Sequence, residues 1–333
     1  MAMLTKGYVM PMWSYGGAEA AAAAIAAAKA TGANSVEIDF NFTTGPAGLQ
    51  SSSVSIMESA HNSLGELSQA IGVAKAAGMS VWIKPQLQVG TDLSNPQHVN
   101  WAYMAPTDPH TWFSQYTAAL KTLGASAQAA GADHFILTNE LRSMTTNSSY
   151  ASEWTNVFQE VRTVFKGPIG FNAGAFWGGG SSEFQGIPDS VTNQLDFMGL
   201  SAYPRFANNG QTESLSQVQS GWSKDIYGRN DLAELHAWQA AHPGKPLYFT
   251  ELGSPMISGG YHALSSGAVV NEDFQDQANY MLGSLSVIQT NAPEVQGIFV
   301  YEWALGSRPG SHIWDVSYSP IVVSALTQGW HYY

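Results

Sequence analysis

The chain has 333 residues, 44% of them apolar, enough for one large buried core, and only 11% are charged against roughly 25% in an average soluble domain. Its formal charge of −12 comes from 25 acids against 13 bases with no basic cluster, which argues against nucleic-acid binding and, more weakly, against an anionic substrate. The lack of cysteine excludes disulfides, thiolate metal sites and cysteine nucleophiles, and a surface made polar by Ser, Thr, Asn, Gln and Gly suits a neutral polymer.

Short apolar β-rich runs alternate with helical stretches from end to end. Gly7–Trp13 is the first strand, and an Ala-rich helix over Ala18–Lys29 closes at Thr31-Gly32, where glycine fits a left-handed position. Strand two is Ser35–Phe40, followed by a Gly/Ser/Thr loop over Thr43–Ser53 and a helix over Leu64–Lys75 ended by Gly78. Strand three is Met79–Pro85; a long loop with Asn95-Pro96 and Pro106 leads to the helix Thr111–Ala130. Strand four, His134–Thr138, precedes the helix Tyr150–Phe165, and strand five is Ile169–Asn172. Strand six is Asp196–Tyr203, before the helix Asp231–Ala241; strand seven is Leu247–Thr250, before the helix Asp273–Gln289; strand eight is Gly297–Tyr301.

Strands separated by helices must pair in parallel, and strands apolar along most of their length belong to a sheet buried on both faces. Eight such units predict an α/β fold, a (β/α)8 TIM barrel, rather than a doubly wound open sheet. The open sheet lacks its markers: no G-x-G-x-x-G follows strand one, and no G-x-x-x-x-G-K-[ST] occurs anywhere. Nothing resembling a linker divides residues 1–333, so one domain is expected. The longest apolar stretch, Ala20–Ala30 interrupted by Lys29, is too short and too weakly hydrophobic to span a bilayer, so no membrane association is expected. Residues Met1–Lys6 lack the features of a signal peptide, yet scarce lysine and abundant Ser, Asn and Gln favour a secreted or periplasmic protein. A monomer is the expectation.

In such a barrel, catalytic groups sit where each strand passes into its following loop. Those positions hold Trp13 and Tyr15, Asn41, Gln86 and Gln88, Asn139-Glu140, Asn172, Tyr203, Glu251, and Glu302-Trp303. Glu140 and Glu251 end strands four and seven, which face each other across the mouth. Glycosidic cleavage needs one carboxylic acid to protonate the leaving oxygen and one carboxylate to attack, or to activate water. An isolated glutamate would more often cap a helix or meet a surface lysine, but two at these facing ends, with amide and aromatic neighbours, favour catalysis.

Asn139-Glu140 and Glu251 resemble the signature of clan A, the retaining barrel glycoside hydrolases. Within that clan, Ile83-Lys84-Pro85, Asp196–Tyr203, Phe249–Gly253 and Trp303 most resemble glycoside hydrolase family 113, known for β-mannanases. The resemblance implies that Glu140 is the general acid/base, Glu251 the nucleophile, Asn139 a donor to the sugar 2-hydroxyl, Tyr203 the partner that orients the nucleophile, and Trp303 a platform beneath the sugar. It implies an endo-β-1,4-mannanase, with an exo-β-mannosidase, a β-glucosidase or an endo-β-glucanase as alternatives on the same scaffold. Two positions depart from the family pattern: Gln86 stands where a histidine is expected after Lys-Pro, and strand two ends without a basic residue.

Tryptophan numbers 11, and its faces bind the C–H faces of pyranose rings while amides take the hydroxyls. Trp13, Trp177 and Trp303 are assigned to the sugar cleft, with Gln86 and Asn172 as further carbohydrate contacts. Trp82, Trp112, Trp154 and Trp238 read as packing residues; Trp101 and Trp222 lie in long loops where either role is open. The 9 histidines show neither H-x-H nor H-E-x-x-H spacing, so no metal or other cofactor is expected, and no G-x-S-x-G elbow is present for serine chemistry. A non-catalytic carbohydrate-binding barrel is the remaining alternative, and it would not need both glutamates.

Overall fold

The computed structural model describes residues 5–89, 101–176, 180–207, 211–257, 272–306 and 312–331. The barrel strands are β1 (Thr5–Pro11), β2 (Ser35–Thr44), β3 (Ser80–Gln88), β4 (His134–Ile136), β5 (Ile169–Ala175), β6 (Phe197–Ala202), β7 (Leu247–Leu252) and β8 (Val295–Val300). All eight pair in parallel in chain order, and the ring closes where β1 pairs with both β2 and β8. The chain is a (β/α)8 barrel. A short antiparallel strand, Val54–Ile56, extends β2 beyond the ring, which makes β2 longer than its apolar core suggests.

The helices begin and end on local signals. Leu64–Ala76 opens with a capping box between Ser63 and Glu66, and Pro109–Ala130 is capped by Asp108, two residues earlier than the sequence pattern indicates. Gly32 takes φ +102° just past the first helix, as its position predicts. Two helices longer than a single turn are not anticipated from the pattern: Leu215–Gly221, and Pro320–His331 after β8. The latter completes the eighth βα unit and buries Val322, Leu326 and Trp330.

Side chains alternate along each strand between the helix layer and the barrel interior. The lower interior is an aromatic plug. Trp82 stacks on His134 at 3.9 Å and meets Phe197, Tyr248 and Phe299 edge-on, each at 5.0 Å. The plug needs glycine beside it, because a Cβ on Gly7 would lie 2.3 Å from Phe299 and one on Gly170 would lie 2.4 Å from Phe197. Above the plug, the same inward register carries Glu37 and Asp39 on β2 and Lys84 on β3, all fully buried. No helix among the described residues is long and apolar enough to cross a membrane.

Candidate active site

The inward register continues upward into the mouth, where β7 delivers Glu251. The β6–β7 pairing shifts by one residue between Leu200 and Ser201, so that Phe249 faces Leu200 but Glu251 faces Ser201. Such a bulge re-aims the side chains that follow it. It leaves Phe249 stacked on Trp222 in the helix layer at 5.9 Å and turns Glu251 towards the barrel axis. There Glu251 accepts hydrogen bonds on both oxygens, from the Lys84 ammonium on Oε1 and from the Tyr203 hydroxyl on Oε2, each at 2.5 Å. Burial, and then the charge of Glu251, push the Tyr203 phenol well above its ordinary range, so it stays a donor.

Glu140 arrives by a different route. β4 is short, and the chain leaves the ladder after it; Glu140 adopts φ +53°, a left-handed conformation that costs a non-glycine residue about 1–2 kcal/mol. Its amide donates to the carbonyl of Asn172 at 3.0 Å, which fixes the turn. Burial first, and then the negative charge of Glu251, hold its carboxyl well above the usual carboxylate range. Its Oε1 is buried without a hydrogen-bond partner among the described residues. Glu140 thus sits where burial favours its protonated form, with Oε1 unpartnered among the described residues, and Glu251 is held by a cation and a phenol. Opposed environments of this kind separate an acid from a nucleophile.

Between them lies an amide network. The Asn139 amide donates to Gln86, Asn172 donates to Asn139 at 2.6 Å and to Ser201 at 2.9 Å, and Thr250 donates to Asn172 at 2.9 Å. Asn139 and Gln86 are nearly buried at the rim. Asn172 is completely buried with both ends of its amide engaged, so it supports Asn139 from below instead of facing a sugar, as its strand-end position suggests.

The aromatic residues are arranged differently from the sequence-based expectation. Trp303 is only 4% exposed and its ring lies 4.6 Å from Tyr8, whose hydroxyl bonds Thr31 and Trp330 in the helix layer. Its ring therefore packs behind the strands and does not present a face to the cavity. Tyr301 and Trp314, both partly exposed, take the flank of the site: Trp314 lies 5.4 Å from Tyr203 and 5.9 Å from Tyr301. Trp314 escapes a strand-end search because it sits more than ten residues past β8. Trp13 is partly exposed in a short 3-10 turn after β1, and Trp177 lies outside the described residues. Trp82, Trp112, Trp154 and Trp238 are buried, as read, and so is Trp222, whereas Trp101 is half-buried.

A third strand-end carboxyl, Glu302, is engaged elsewhere, with His312 Nδ1 at 2.8 Å. Among the described residues no group of three or more His, Asp and Glu is placed to hold a metal ion.

The decisive comparison is with sequence families: the profile of glycoside hydrolase family 113 matches residues 4–312. The chain belongs to glycoside hydrolase family 113. No match to a curated protein was found by sequence. Among solved structures, the family 113 chain is similar to a family 113 β-1,4-mannanase, with TM-score 0.75, 17% identity and 99% of each chain covered. It is similar also to the family 113 β-mannanase of Alicyclobacillus acidocaldarius, solved in complex with ManMIm, with TM-score 0.73, 17% identity, and 99% of this chain and 96% of that one covered. A family 5 enzyme of Streptomyces cattleya, solved with GlcNAc, follows at TM-score 0.64 and 13% identity, covering 99% of this chain and 81% of that one. At these identities the structures establish the shared barrel, and family membership establishes that the chain is a glycoside hydrolase.

Proposed function

We propose that this glycoside hydrolase is a retaining endo-β-1,4-mannanase in which Glu251 is the nucleophile and Glu140 the general acid/base. The observation that carries the assignment is the contrast between the two carboxyls: Glu251 bonded to Lys84 and Tyr203, Glu140 buried with an unpartnered oxygen. In the first step a Glu251 oxygen attacks the anomeric carbon from below as the glycosidic bond breaks, and the Glu140 proton passes to the departing oxygen. This gives an α-linked glycosyl ester. In the second step the Glu140 carboxylate takes a proton from water, the water oxygen bonds to the anomeric carbon, and Glu251 leaves as a carboxylate. Asn139, supported by Gln86 and Asn172, is the donor to the 2-hydroxyl, a contact that strengthens as charge develops.

The choice of mannan is supported by the family 113 solved structures, which are β-mannanases. Few charged side chains and a partly exposed Trp314 and Tyr301 beside the nucleophile suit a neutral chain of pyranoses. The test is hydrolysis of matched β-1,4-linked hexaoses of mannose and glucose together with aryl β-mannoside and aryl β-glucoside. Internal cleavage of the mannohexaose, with the β-anomer appearing first by NMR, is the expected outcome. Release of single sugars from the chain end would make it an exo-enzyme, preference for the glucose series a glucanase or glucosidase, and an initial α-anomer would rule out retention.

A further inference from the structure

We propose that Lys84 is a positioning residue for the nucleophile: from inside the barrel it supplies the cation that grips and aims the Glu251 side chain, and Glu37 and Asp39 hold it there through both halves of the reaction. This deepens the reading of Glu251 given above and rests on it.

Lys84 Nζ lies 2.5 Å from Glu37, 3.3 Å from Asp39 and 2.5 Å from Glu251, so it is ion-paired with three carboxyls and donates its hydrogen bond to Glu251. A fully buried lysine is costly unless it is paired, and an ammonium held on three sides cannot swing away. Among the described residues no other Lys, Arg or His forms an ion pair with Glu251. β2 itself ends without a base, so the charge beside the nucleophile has to come from another strand, and β3 provides it.

Burial, only partly offset by Lys84, pushes Glu37 well above its ordinary range and Asp39 up to about 7. Burial also works against the Lys84 charge, but Asp39, Glu251 and Glu37 together outweigh it and hold the ammonium protonated. When Glu251 becomes a glycosyl ester its charge is lost, and Asp39 and Glu37 remain as partners. Without them the intermediate would strand a buried, unpaired cation, and its formation would be penalised.

The groups that act on Glu251 are Lys84 from β3, Glu37 and Asp39 from β2, Tyr203 after β6, Glu140 after β4, and Tyr301 after β8, beside which lies Glu302. Lys84 is the single cation in that set. Its removal favours neutral Glu251, so the acidic limb of kcat/KM must move to higher pH. Lys84 also lowers Glu140, so the basic limb should follow in the same direction by less.

The experiment is the pH profile of Lys84→Met, a neutral side chain of similar length, on an aryl glycoside. The acidic limb is expected to rise by about 1–3 pH units, the range for losing an adjacent opposite charge. With it, kcat is expected to fall roughly 10²–10³-fold while KM changes little. Lys84→Gln, which retains a donor without the charge, gives the same readout if the Met variant does not fold. A folded variant whose acidic limb stays in place, or whose loss lies in KM, overturns the proposal. Trapping with a 2-deoxy-2-fluoro glycoside separates the two readings: a label on Glu251 with an unmoved limb removes the role of Lys84 alone, whereas a label elsewhere removes Glu251 as nucleophile.

Discussion

Glu251→Ala is expected to abolish turnover on every glycoside, activated or natural, by on the order of 10⁵-fold or more, as for other groups whose loss removes the covalent step. The barrel should survive the change. Lys84 retains Glu37 and Asp39, and the Tyr203 hydroxyl loses an acceptor at the edge of an open mouth, where water can replace it. The space vacated lies against the Lys84 ammonium, so a small anion is drawn to the position the carboxylate held. Azide should therefore restore activity by attacking the anomeric carbon from the nucleophile's side, and the product should be the inverted α-glycosyl azide. Product stereochemistry by NMR is the check. A β-azide would assign the nucleophile to another residue.

Glu140→Ala should behave differently, because an acid matters only as much as the leaving group needs a proton. General acid/base assistance contributes about 10²–10⁴-fold, so the variant should fail on natural oligosaccharides while retaining activity on dinitrophenyl glycosides. Glycosylation of such substrates needs no acid, but deglycosylation still lacks its base. Azide, which needs no base, should accelerate that step and give the retained β-azide. Ser201 hydrogen-bonds the Glu140 carboxyl and keeps Asn172 as a partner when that carboxyl is removed, so a loss of activity can be read as chemistry. The pH profile gives a second readout. Burial and then the Glu251 charge raise Glu140, so wild-type activity should fall at higher pH as this acid ionises; the Ala variant should lose that basic limb. Equal leaving-group dependence in the two variants would contradict the division of labour.

The barrel was legible because parallel strands buried on both faces leave long apolar runs, and glycines at positions such as 32 and 131 end the intervening helices. The two glutamates proposed as the catalytic pair stand out for a related reason: each ends an apolar strand. Harder to see was what lies inside the ring. Glu37 and Asp39 occupy alternate positions of β2 and therefore share one face, which in a closed ring is the interior. Lys84 in the adjacent strand answers them in charge. A strand buried on both faces yet carrying charge at every second residue was the available signal, since such charges must be paired.

The assignment of Trp303 failed for another reason. Trp303 follows β8 directly, but the direction of its ring depends on local backbone turns that residue spacing does not specify, and it packs on Tyr8. Trp314 reaches Tyr203 from a loop, where proximity is a tertiary property. The last helix was missed because Ile321-Val322-Val323 is a β-branched run whose intrinsic preference is extended, and packing of Val322, Leu326 and Trp330 against the barrel overrides it.

The most direct test of the account is to incubate the wild-type enzyme with a 2-deoxy-2-fluoro-β-mannosyl fluoride and map the modified peptide by mass spectrometry. The fluorine slows both steps and the fluoride leaves readily, so a glycosyl-enzyme formed by a retaining mechanism accumulates. The account predicts one fluoromannosyl group per chain, attached to Glu251 and discharged by a transglycosylation acceptor. A label on Glu302, Glu140 or any other carboxylate would contradict it, as would an enzyme that turns over β-mannosides yet is never labelled and releases the α-anomer first.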